Sequence, residues 1–280
     1  MSGHPATPGR PAFSAPGHSA SSTPARPAFS TLGCPGAPVE QVIGLARAYG
    51  CEGVELRCAD GEILPPTATD AEAGMVGARF AEAGVEVVCL ASYVRVGAPG
   101  QETALARHLE LARLAGASFV RVFGGDPDDP GVAARAVTTL RAGAETAARS
   151  GVRILLETHD AFLTGRAVAA VLRQVASPYA GALWDVVNPW RAGEPLPVTA
   201  EALRPWLAHV QVKDVASTTD LAPVLPGTGA VPLGGFAAEL TRLGYGGWTC
   251  LEWEAAWYPQ AAPLAEALSA FRSLTLEQTR

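Results

Sequence analysis

The sequence predicts one closed parallel (β/α)8 barrel, and three observations carry that reading. Eight short apolar, β-branched runs follow one another: Phe29–Gly33, Gly53–Cys58, Val85–Ser92, Ser118–Phe123, Val152–Thr158, Ala182–Val186, His209–Asp214 and Trp248–Glu254. They recur at intervals of roughly 25–40 residues, the length of one βα unit. The stretches between them are rich in Ala, Leu and Arg, read as helices, and end in glycine. An open doubly wound sheet is the competing architecture. It would place a GxGxxG phosphate loop after the first strand, whereas this chain has Gly33-Cys34-Pro35-Gly36 there.

In chain order, Gly50 precedes the second run, Gly84 the third, Gly116 the fourth, Gly151 the fifth, Gly181 the sixth and Gly244 the eighth. Each suits the left-handed position that closes a helix. Residues 1–27 are dominated by Pro, Ser, Ala and Gly and are expected to be a disordered tail, with the barrel domain spanning 28–280. The string Arg-Pro-Ala-Phe-Ser stands at 10–14 and again at 26–30.

Composition narrows the function. Of the 280 residues 48 % are hydrophobic and 17 % charged, which allows a sizeable core. The net charge is −6 with no basic stripe, which disfavours nucleic acid as a partner. No apolar run reaches the roughly 18–20 residues that span a bilayer, and the tail lacks the apolar centre of a signal peptide. The five cysteines (34, 51, 58, 89 and 250) form no CxxC pair. They read as buried reduced thiols, with disulfides or metal ligation the lesser alternative, so a cytoplasmic location is expected. Lys213 is the only lysine, against twenty arginines.

Chemistry in such a barrel sits where strands end. Period-two alternation puts Glu157 and His159 on one face, and likewise Leu183 with Asp185, His209 with Gln211 and Lys213, and Glu252 with Glu254. If these faces point inward, Glu157, Asp185, Gln211 and Glu252 meet near one point. Carboxylates inside a barrel need positive compensation, and a divalent cation is the simplest source. This oxygen-rich set favours Mn2+ or Mg2+, with Co2+ and Zn2+ left open. The plainer readings are a salt-bridged surface acid for each glutamate, a helix cap for Asp185 and a satisfied buried amide for Gln211. Pro189 and Trp190 argue against a helix directly after Asp185. His209 reads as a core histidine, and Gly227-Thr228-Gly229 as a turning loop more than a phosphate loop.

Several strings resemble the sugar phosphate isomerase/epimerase group with a xylose-isomerase-like TIM barrel. They are Glu157-Thr158-His159, Trp184-Asp185, His209 through Asp214, Gly244-Tyr245-Gly246-Gly247 and Leu251 through Glu254. Phe29 through Leu32, Gly53 through Arg57 and Val120 through Gly125 resemble its first, second and fourth strands. The resemblance implies metal ligands Glu157, Asp185, Gln211 and Glu252, and Glu157 and Glu252 as the catalytic pair moving a proton through an enediolate. Two departures stand out: Gln211 where histidine is commoner, and Asn188 where many relatives have a histidine touching substrate. Glutamine occurs at the first of these in some relatives, including dehydroshikimate dehydratases. Candidate substrate contacts are His159, Asn188, Arg191, Lys213, Arg121, Glu254 and Trp190, for a small polyhydroxylated or phosphorylated substrate. Relatives are often dimers or tetramers, which leaves a homo-oligomer open.

The expected activity is therefore a metal-dependent sugar (phosphate) isomerase or epimerase. The alternative is a metal-dependent dehydratase or lyase of a sugar- or shikimate-like substrate. Ranked lower are a non-catalytic metal- or sugar-binding barrel and an endonuclease IV-like phosphodiesterase. The latter needs more histidines than the five present, two of them in the tail. A two-carboxylate glycosidase fits poorly with a metal between the acids.

Overall fold

The computed structural model describes residues 25–277, and eight parallel strands close into a ring in simple sequential order. They are β1 (Arg26–Ser30), β2 (Gly53–Arg57), β3 (Glu86–Arg95), β4 (Phe119–Phe123), β5 (Arg153–Glu157), β6 (Ala180–Asp185), β7 (Leu207–Val212) and β8 (Trp248–Leu251). The ring closes where β1 pairs with β8, Ala28 opposite Cys250. All eight expected strands are present. β1 starts at Arg26, so two residues assigned to the tail belong to the barrel. Residues 1–24 of that expected tail, with the first Arg-Pro-Ala-Phe-Ser copy, lie outside the described residues.

Nine helices occur among the described residues: α1 (Val39–Tyr49), α2 (Asp70–Glu82), α3 (Glu102–Leu114), α4 (Val132–Ser150), α5 (Gly165–Val175), α6 (Val187–Arg191), α7 (Leu196–Leu203), α8 (Leu233–Leu243) and α9 (Leu264–Glu277). None is long and apolar enough to cross a membrane. A capping box of Thr69 and Glu72 starts α2. Gly50, Gly151 and Gly244 end their helices in the left-handed region, and Gly84 and Gly116 adopt it one residue past the caps of α2 and α3.

Gly181 does something else. It lies within β6, and Ala176 (φ 52°) ends α5 in its place. A Cβ at Gly181 would stand 2.7 Å from the Arg153 guanidinium carbon, so this glycine makes room for a buried arginine.

Strand alternation divides the apolar residues into two layers. Ile154, Leu156, Trp184, Val210 and Val212 face the helices and join the large outer core. Ala28, Cys89, Phe119, Leu155, Leu183, Trp248 and Cys250 fill the barrel interior. Glu157 and Asp185 each lie two residues beyond an interior leucine, and Glu252 two beyond Cys250. The inward orientation expected for them therefore holds.

Candidate active site

Two cations and five carboxylates converge at the carboxyl end of the barrel. Arg121 comes from the middle of β4 and Glu55 from the middle of β2. Glu157 and Asp185 end β5 and β6, and Lys213, Glu252 and Glu254 follow β7 and β8 directly. Lys213 Nζ lies 2.8 Å from Asp185 Oδ2, 2.7 Å from Glu252 Oε2 and 2.6 Å from Glu254 Oε1. Arg121 Nε is 3.3 Å from Glu157 Oε2, and its guanidinium stacks 4.0 Å from the centre of the Phe123 ring. His159 stands at the mouth, 4.6 Å from the same ring, and its Nδ1 meets Asp160 Oδ1 at 2.6 Å.

Acids outnumber cations in this buried space, and the carboxyl groups respond. Burial pushes the Glu252 carboxyl up, to about 8; Lys213 draws it down, while Glu157, Asp185 and Glu254 repel its charge. Glu157 is also raised, chiefly by burial, although Arg121 opposes the rise. For His159 burial works against the imidazolium, but Asp160 and Glu157 outweigh it and hold the ring above its ordinary range.

Asp185 divides its two oxygens between fold and site. Oδ1 accepts from the Val187 N–H at 2.8 Å, at the start of α6. A one-turn helix thus follows Asp185 directly, contrary to expectation. Pro189 falls in its first turn, where a backbone N–H has no helical partner to lose. Asp185 Oδ2 faces the cluster.

Gln211 is oriented by a residue the sequence reading did not assign to the site. Its Nε2 donates to Glu55 Oε1 at 2.9 Å, and a carboxylate can only accept, so the amide oxygen must point the other way. Glu55 is fully buried and also meets His209 Nε2 at 3.2 Å. Burial alone would raise the Glu55 carboxyl, but His209, Arg121 and Gln211 hold it below its usual range.

The predicted ligand set fits a hard divalent ion. The buried side-chain oxygens without a hydrogen bond, among the described residues, are Glu157 Oε2, Asp185 Oδ2 and Gln211 Oε1. The first two nonetheless lie in ionic contact with Arg121 and Lys213, at 3.3 and 2.8 Å. Buried oxygens in native proteins are normally satisfied, and these three, with Arg121 and Lys213 as the cations nearest two of them, leave coordinating capacity that suits a further cation.

A second donor group lies deeper. Glu55, His209 and Cys250 are all buried and place one ligand atom each within 4.8 Å of one another. Glutamate, histidine and cysteine form a zinc-type set. Its donors are partly committed: His209 and Gln211 already occupy Glu55. Burial, then Glu55 and Glu252, push the Cys250 thiol well above its ordinary value. His209 is the core histidine expected, but its Nδ1 has no partner.

The remaining candidates divide. Asn188 and Arg191 bond each other, Arg191 Nε to Asn188 Oδ1 at 3.0 Å, leaving the buried Asn188 Nδ2 open. Trp190 packs partly against the outer core. The Gly227–Gly229 loop spends its amides on Asp214, whose carboxylate accepts from the backbone of Val215, Gly227, Gly229 and Val231. Those amides are therefore a clasp on the chain itself. The five cysteines are free thiols, four of them buried.

Residues 43–274 match the sequence profile of the xylose isomerase-like TIM barrel family. The chain belongs to that family. No curated protein sequence matches it. This xylose isomerase-like barrel resembles the probable 3-DHS dehydratase AsbF of Bacillus anthracis, with TM-score 0.74, 18 % identity, and 89 % of this chain and 98 % of that one covered. It also resembles the IOLI protein with a bound zinc atom, with TM-score 0.78, 16 % identity and coverage of 91 % and 99 %. D-allulose 3-epimerase from Methylomonas sp. in complex with D-allulose gives TM-score 0.73, 16 % identity and coverage of 92 % and 98 %. At these identities the likeness establishes the fold.

Proposed function

We propose that this barrel is a metal-dependent sugar (phosphate) isomerase or epimerase that moves a proton on carbon beside a carbonyl. The observation that carries the reading is the set of orphaned oxygens on Glu157, Asp185 and Gln211 beside Glu252, at the end of the barrel where this fold places its chemistry. Glu157, Asp185, Gln211 and Glu252 would hold Mn2+ or Mg2+, with Co2+ or Zn2+ as alternatives. The bound ion supplies Lewis acidity toward a substrate carbonyl and its neighbouring hydroxyl.

The chain supplies the proton transfers. Glu252 and Glu157 come from strands on different sides of the cluster, so one carboxylate can take a proton from carbon while the other returns it. Return to the opposite face gives epimerisation, and return to the neighbouring carbon gives isomerisation. Arg121, Lys213 and His159 present N–H groups to substrate oxygens around the cluster, with Asn188, Arg191, Glu254 and Trp190 toward its rim. Neighbours that carry D-allulose or D-tagatose support a small polyhydroxylated ligand, with a phosphorylated one as the alternative.

A second reading keeps the same proton abstraction but expels a β-hydroxyl, giving a dehydratase. Gln211 in place of the commoner histidine, and the likeness to a probable 3-DHS dehydratase, support it. The test is a ketose and hydroxy-acid screen in 2H2O with metal-loaded protein. Solvent deuterium entering carbon, and lost in both Glu157→Gln and Glu252→Gln, is the expected result. An ultraviolet-absorbing enone or arene would select the dehydratase. Full exchange in both variants would refute the acid–base assignment.

A further inference from the structure

The carboxylates gathered for a divalent ion already hold a cation of the chain's own. The Lys213 ammonium has three N–H donors and three carboxylate neighbours, at 2.8, 2.7 and 2.6 Å. Two of these neighbours, Asp185 and Glu252, belong to the proposed ligand set. A divalent ion binds carboxylate oxygens at about 2.0–2.6 Å, so it and an ammonium cannot share the same two oxygens without strong like-charge repulsion. The third neighbour, Glu254, lies outside the ligand set. Its side chain is 19 % exposed, against 0 % for Asp185 and 6 % for Glu252, so it is the one nearest solvent. Lysine carries its charge on a flexible four-carbon stem, which lets the ammonium leave two partners and keep one.

We propose that Lys213 is a resident counter-ion that a divalent metal displaces from Asp185 and Glu252, and that Glu254 retains it afterwards. The inference rests on the metal-site reading above. Metal uptake is then an exchange of cations. It is weaker than the ligand set alone would give, and it shifts the ammonium toward the mouth of the barrel.

Because Lys213 is the only lysine, one side chain can be followed without background from others. Native protein is stripped with chelator and treated with acetic anhydride, with and without Mn2+. Acetylation is read by mass spectrometry on the peptide carrying Lys213. Mn2+ is expected to speed that acetylation about tenfold or more. In parallel, Mn2+ affinity is measured calorimetrically for native protein, Lys213→Met and Glu252→Ala. Lys213→Met is expected to bind about tenfold tighter than native, a gain of about 1.4 kcal/mol. Equal or weaker binding by a folded Lys213→Met, with native binding intact and lost in Glu252→Ala, overturns the exchange and leaves the metal site standing. Acetylation unchanged or slowed by Mn2+ overturns it as well, and decides the matter alone if Lys213→Met does not fold. Absence of Mn2+ binding in native and Lys213→Met alike removes the metal reading and the inference together.

Discussion

Replacing Glu252 by glutamine should stabilise the metal-free protein at pH 8 and flatten its pH dependence. The Glu252 carboxyl is pushed from its usual 4.5 to about 8, mainly by burial. Between those values the folded state keeps a proton that the unfolded chain releases. Stability is therefore fullest below about pH 4.5 and declines as pH rises toward 8. Each pH unit in that window is worth about 1.4 kcal/mol, which sets a ceiling of about 5 kcal/mol. The value of about 8 already includes the pull of Lys213 and the repulsion from Glu157, Asp185 and Glu254. The expected net gain is on the order of 2 kcal/mol, or a rise of about 4–8 °C in Tm for a domain of this size. Thermal and urea unfolding in chelator at pH 5, 6, 7 and 8 would measure it. Native stability that is flat or rising across that range, with a Gln variant no more stable at pH 8, would refute the electrostatic account.

Other substitutions separate groups that the structure satisfies from groups that it strains. Glu55→Ala leaves His209 and Gln211 facing an empty acceptor position and frees the Gln211 amide to turn. It should cost about 3–5 kcal/mol and weaken metal binding about 10–100-fold, read by urea unfolding and metal titration. Asp214→Ala removes the acceptor of four backbone N–H groups. Hydrogen exchange at Gly227, Gly229 and Val231 should speed by about tenfold or more, at a cost of about 3 kcal/mol. Gly181→Ala drives a methyl into the Arg153 guanidinium and should cost about 1–3 kcal/mol, measured by thermal unfolding.

The barrel was legible because its strands are buried on both faces and read as continuous apolar runs, those of β5, β6 and β8 broken by an acid where the site begins. The glycines at 50, 84, 116, 151 and 244 were legible because a left-handed turn asks for a residue without a Cβ. Gly181 obeys a different demand, the volume of an arginine on the neighbouring strand, and nothing local separates the two. Glu157, Asp185, Gln211 and Glu252 could be found by counting in twos along a strand. Glu55 could not, because its partners His209 and Gln211 lie 154 and 156 residues away. Lys213 showed its face, but not that Asp185, Glu252 and Glu254 would share its ammonium. That arrangement depends on how far strands β6 to β8 stagger around the ring. The Asp185 turn was misjudged because proline was weighed as a helix breaker at a position where it breaks nothing.

The seam between β1 and β8 has a consequence for assembly. Seven of the eight strand pairings join consecutive units, and this one joins the two ends of the chain. At its base the Arg26 guanidinium lies 3.8 Å over the Trp248 ring and pairs with Glu52 and Glu86, a bolt across β1, β2, β3 and β8. Glu252 and Glu254 follow the strand on one side of that seam, so the pairing that joins the two ends of the chain also holds two of the site's five acids in place. The pairing of widest sequence separation in the barrel, Arg26–Phe29 against Trp248–Leu251, therefore also carries part of the candidate site's charge, and its loop-closure entropy is the largest of the eight.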